Sequence, residues 1–132
     1  MRSVVTTGFI LLSCSACLPV QEGLVGQYSG YFVVRRTSEV RERLTLEIQT
    51  AQDGKLKATA TRHYTAGRPT AGANMCVGDY VLEGTYDDNK IVLRSIGPGG
   101  RAGDCRMTLR LAVEGDKLTG TMGKFGAELT KR

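Results

Sequence analysis

Apolar and polar residues alternate along most of the chain. From Val40 to Ala51 the apolar residues Val40, Leu44, Leu46 and Ile48 fall on one side. Arg41, Arg43, Thr45, Glu47 and Gln49 fall on the other. A period of two predicts a half-buried strand, because successive side chains of a strand point to opposite faces. The same alternation runs through Cys105 to Val113, where Met107, Leu109, Leu111 and Val113 oppose Arg106, Thr108 and Arg110. Shorter apolar, β-branched or aromatic runs predict further strands over Tyr28–Arg36, Leu56–Tyr64, Asp79–Tyr86, Lys90–Ile96, Lys117–Gly123 and Ala127–Lys131. Asp53-Gly54, Asp87-Asp88-Asn89, Glu114-Gly115-Asp116 and Lys124-Phe125-Gly126 supply turns, the first being a hairpin dipeptide. No stretch has the period of a substantial helix.

The expected fold is all-β. Eight short strands in sequential hairpins predict an up-and-down antiparallel barrel, since closure removes exposed sheet edges. A two-sheet β-sandwich is the alternative. A weak repeat, Leu56-Lys-Ala-Thr59, Leu82-Glu-Gly-Thr85 and Leu118-Thr-Gly-Thr121, puts small residues where a closing sheet must bend; Gly84 and Gly120 are the expected bends. The predicted interior holds Leu44, Leu46, Ile48, Leu56, Leu82, Ile91, Leu93, Met107, Leu109, Leu111, Leu118 and Met122. So many large side chains fill a small eight-stranded interior.

The N-terminus follows another logic. Met1-Arg2-Ser3 is basic, Val4–Leu12 is apolar, and Ser13-Cys14-Ser15-Ala16-Cys17 is small. This is the layout of an export signal, and the apolar run falls short of the roughly 20 residues that span a bilayer. Residues 1–17 are therefore read as signal, 18–26 as tether and 27–132 as the barrel domain. Leu11-Leu12-Ser13-Cys14 resembles the lipobox of bacterial lipoproteins, with Leu at −3 and a small residue at −1. The resemblance implies acylation of Cys14, with Cys17 as the alternative. It also implies a membrane-anchored place in a bacterial cell envelope, facing the periplasm or exterior. Plain cleavage after Ala16, giving a soluble secreted protein, is the rival reading.

Two cysteines then remain. Cys76 and Cys105 in an exported chain point to one disulfide, worth about 3 kcal/mol by closing a long loop. With His63 the sole histidine, no tetrahedral metal set is expected.

In the predicted barrel the connections at Thr37–Glu39, Thr65–Gly78, Gly97–Asp104 and Lys124–Gly126 share one end, and the cysteines with them. The net charge is +5, and arginines gather toward this loop end. Arg35, Arg36, Arg68, Arg101 and Arg106 are the candidate binding residues, because guanidinium groups take carboxylates and phosphates in two-point contacts. The expected partner is a protein or an anionic envelope component, in an inhibitor or immunity type of role. Nucleic acid is not expected of an exported chain with few aromatics for stacking.

No catalytic residues and no cofactor are expected. His63 has no nucleophile motif around it, and Gly97-Pro-Gly-Gly-Arg-Ala-Gly103 lacks the Lys-Ser/Thr of a phosphate-binding loop. It reads as a flexible loop presenting Arg101. The topology resembles the calycin-like barrels of lipocalins and avidins, which implies the alternative function of carrying a small apolar ligand inside. The tryptophans typical of those families are missing. The export signal, size, disulfide and barrel are also similar to the membrane-bound lysozyme inhibitor family of lipoproteins. No inhibitory motif matches, so that resemblance implies architecture alone.

Overall fold

The computed structural model describes residues 23–35, 40–63, 76–101 and 103–132, with backbone alone at Val34, Arg35 and Val40. Eight strands follow one another: β1 (Gly26–Arg35), β2 (Val40–Gln52), β3 (Lys55–Arg62), β4 (Gly78–Asp87), β5 (Lys90–Ser95), β6 (Thr108–Glu114), β7 (Lys117–Met122) and β8 (Phe125–Lys131). Each pairs antiparallel with the next, and β1 also pairs with β8 over Tyr28–Phe32. That last pairing closes the sheet into an up-and-down barrel and excludes a two-sheet sandwich.

Turn chemistry fixes the hairpins. Asp53 and Gly54 both have positive φ (55° and 75°), as do Asp88 and Asn89 (53° and 62°). Two such residues form the turn whose twist matches that of the flanking strands. The last hairpin turns earlier than its sequence predicted. Met122 pairs with Phe125, so the turn is Gly123-Lys124 and Phe125 already belongs to β8. Gly123 carries the positive φ of 60°, which a residue with a Cβ adopts at a cost.

All twelve predicted interior residues are buried, and Tyr28, Phe32, Ala58, Ala60, Tyr80, Ala127 and Leu129 join them. Each large apolar side chain buried in this way contributes about 1.5–3 kcal/mol. Gly84 and Gly120 stand where expected, and Gly30 is a third position of the same kind. A Cβ at these three would run into the carbonyls of Val92, Arg110 and Glu128 respectively. The paired strands approach so closely there that only glycine fits, and the sheet bends.

The barrel begins before the predicted boundary. Leu24, assigned to the tether, is buried in the core. Its carbonyl accepts a hydrogen bond from the Tyr28 hydroxyl at 2.9 Å, and Lys131 Nζ donates to the Gly23 carbonyl at 2.6 Å. Leu24 thus plugs the end that carries the tight turns.

Candidate binding face at the barrel mouth

The opposite end, the mouth, carries the connections β1–β2, β3–β4, β5–β6 and β7–β8. Cys76 precedes β4 and Cys105 precedes β6. Their disulfide, with Cα atoms 5.5 Å apart, ties two of these connections together.

The glycine loop beside it is pinned, against the expectation of a flexible segment. Gly99 and Cys105 exchange backbone hydrogen bonds of 2.7 and 3.0 Å, Gly100 N–H donates to the Asp79 carbonyl at 3.1 Å, and Ile96 N–H donates to Val81 at 3.0 Å. Tyr80 lies beneath. Its hydroxyl donates to the Cys76 carbonyl at 2.5 Å, and a Cβ on Gly99 or Gly100 would strike its ring or hydroxyl. Burial raises the Tyr80 pKa above its ordinary value, and the Arg62 cation beside it offsets part of that rise. These contacts also explain why β6 starts at Thr108 rather than Cys105. The residues before it are spent on the Gly99 bridge and on a Met107 N–H bond to Ser95 Oγ at 3.0 Å.

On this braced platform Arg101 and Arg106 are exposed. Arg35 ends β1 at the same end. Arg36 and Arg68, with Cys14, Cys17 and the whole predicted signal, lie outside the described residues.

Just inside the mouth sits a feature the sequence reading passed over. Glu42 is buried at 5% exposure. Arg62 Nη2 meets its Oε1 at 3.3 Å. The Arg62 guanidinium also lies 4.8 Å from the Phe32 ring centre, a cation–π distance. Its Nε is buried without a hydrogen-bond partner among the described residues. A small hollow of about 140 Å³ opens beside it, lined by Arg62, Arg106, Met107, Met122 and Phe125 among others. The signal was available. Glu42 shares the parity of Leu44, and Arg62 that of Ala60. An isolated buried charge is prohibitive, so neither residue alone predicts an inward side chain; as a pair across β2 and β3 they neutralise each other.

The outer wall carries other polar groups. His63 Nε2 lies 3.1 Å from Thr45 Oγ1, while the Thr61 hydroxyl donates to Asp79 at 2.7 Å. Burial, then the Arg43 charge, lowers the His63 pKa below 6.5, with Asp79 opposing. Two open grooves mark this wall. One, of about 800 Å³, runs over β3–β4–β5 past Lys57, Glu83, Arg94 and Ile96. The other, of about 420 Å³, runs over β8–β1–β2 past Tyr31, Arg41, Arg43 and Glu128. Both lie outside the barrel, on faces whose side chains point to solvent.

No family model, curated protein or solved structure matches the chain.

Proposed function

We propose that the chain is a non-enzymatic, lipid-anchored envelope protein. In this reading it binds a protein or an anionic envelope component through the basic loops at the barrel mouth, as an inhibitor or immunity protein does. The observation that carries it is the combination of rigidity and exposure there. Disulfide, backbone bonds and Tyr80 hold Ile96, Gly99, Gly100 and Cys105, yet Arg101 and Arg106 beside them are exposed. A pre-ordered loop loses little entropy on binding, which favours affinity. The dozen or more large apolar side chains turned into the barrel favour recognition on the surface over carriage of an apolar ligand within. The chain enters at the Leu24 end, so an acyl group on Cys14 would leave the mouth facing away from the membrane.

Crosslinking in the native envelope, followed by identification of the partner, is the direct test. Arg101→Glu with Arg106→Glu is expected to abolish the crosslink, and unchanged recovery would refute a role for the mouth. Cys14→Ala is expected to release the protein from the membrane fraction. Retention in that variant and loss in Cys17→Ala would move the anchor to Cys17.

A further inference from the structure

The groove over β8, β1 and β2 has a composition of its own. Tyr31 is 49% exposed, which makes it the sole aromatic among the exposed large apolar residues described. It pairs with Arg43 on β2 and with Glu128 on β8. The Arg41 guanidinium stands 5.8 Å from its ring centre. Below it Ser29 pairs with Thr130, and neither hydroxyl has a side-chain hydrogen bond among the described residues. Gly30 forms the floor, where β1 presses so tightly on the Glu128 backbone that a Cβ has no room.

The geometry points to a saccharide site here, built for an acidic glycan. A pyranose ring has one apolar C–H face and a rim of hydroxyls. An exposed aromatic ring matches the first, since it offers a rigid apolar face at low entropic cost. Carboxylate, guanidinium and free hydroxyl groups match the second. The volume of about 420 Å³ falls within the range of roughly 300–1,000 Å³ usual for small-ligand sites. Charge selects the acidic class. Glu128 is already 3.5 Å from Lys117 Nζ, whereas Arg41 and Arg43 have no carboxylate partner among the described residues. The Arg41 guanidinium beside the ring, with Arg43 lining the same groove, fits a uronate-type carboxylate, which arginine binds through two parallel hydrogen bonds. A protein partner is the less favoured occupant, because protein hot spots sit in well-packed, fully desolvated pockets and this groove is open and lined mainly by polar side chains.

The inference is independent of the membrane anchor and of the mouth arginines, and one experiment separates them. The full chain is titrated by calorimetry and by amide NMR shifts with an oligogalacturonate, a neutral malto-oligosaccharide of equal length, and oligo-glutamate. Oligogalacturonate is expected to bind best and to shift the amides of Ser29, Tyr31, Arg43 and Glu128. Tyr31→Ala is expected to weaken it about tenfold or more, while Tyr31→Phe retains it. Arg41→Ala with Arg43→Ala is expected to erase the preference over the neutral sugar. Arg101→Glu, at the mouth, is expected to leave binding unchanged. The melting temperature of each variant reports that it is folded. No binding of oligogalacturonate at millimolar concentration would overturn the proposal. So would full affinity in folded Tyr31→Ala, or tighter binding of oligo-glutamate, which would assign the groove to acidic polypeptide.

Discussion

The two ends of this barrel solve one problem by different means. At the tight-turn end the chain seals its interior with apolar matter: Leu24 folds under the first strand and the Tyr28 hydroxyl holds its carbonyl. At the mouth the outermost inward side chains described on β2 and β3 are Glu42 and Arg62 rather than leucines. Turns at the first end are two residues long, whereas at the second a disulfide and a hydrogen-bonded glycine loop tie the β5–β6 connection to the residues before β4. An apolar plug is stable in isolation and asks for no partner. A buried ion pair depends on both members and on the geometry that keeps them together. The mouth is therefore the end where single substitutions act hardest.

That contrast is broken most directly at Glu42. Glu42→Ala leaves the Arg62 charge uncompensated and is expected to lower stability by about 3–5 kcal/mol in urea unfolding. Glu42→Met with Arg62→Met removes the charge along with its partner and is expected to cost less than either single change. A double variant as unstable as the sum of the singles would show that the two residues act separately.

Next comes the brace. Cys76→Ser with Cys105→Ser is expected to cost about 3 kcal/mol. Amide exchange should quicken at Gly99, Gly100 and Cys105, while Tyr28 and the turns at the far end keep their protection. Acceleration spread evenly over both ends would remove the distinction between them.

Leu24→Ala tests the plug. The cost is expected near 2 kcal/mol, the low end for buried leucine, because the residue sits at the rim of the core. Its effect on exchange should stay at the tight-turn end.

The smallest effect is a shared one. Burial raises the pKa of Tyr28, with Asp116 adding to it, and of Tyr80. Above the ordinary value of 10.0 the unfolded chain loses these protons before the folded one does. The folded state then binds more protons, and stability falls as pH rises. Stability measured by urea unfolding should be flat with respect to these groups below pH 10 and decline above it. Tyr28→Phe and Tyr80→Phe should each flatten the decline, one from either end of the barrel.

Much of this architecture could be read directly from residues. The alternation in Val40–Ala51 and Cys105–Val113 named the interior side chains, because a strand offers only two faces. Asp53-Gly54 named a hairpin, since few residue pairs accept positive φ twice. Cys76 and Cys105 named each other once Cys14 and Cys17 were read as belonging to an export signal, and the disulfide between them is present. Other features resisted reading for identifiable reasons. Gly30 looked like one more glycine, because its need arises from β8, which lies far away in sequence and closes the barrel against it. Leu24 looked like linker, because nothing in a short run of small and apolar residues says that it folds back under Tyr28. The loop after Ile96 looked flexible, because its glycines are required by the Tyr80 ring beneath them and not by freedom of the chain.

The sequence by itself determined the strands, their inward faces, the tight turns and the cysteine pair, since each rests on local geometry or on counting. Tertiary structure alone decided the rest. It closed β1 on β8, brought the side chains of Glu42 and Arg62 together, pinned the glycine loop between a disulfide and a tyrosine, and set Tyr31 between Arg43 and Glu128. Each of these joins residues from different strands or connections, and the register of a closed barrel, which no local pattern encodes, is what brings them together.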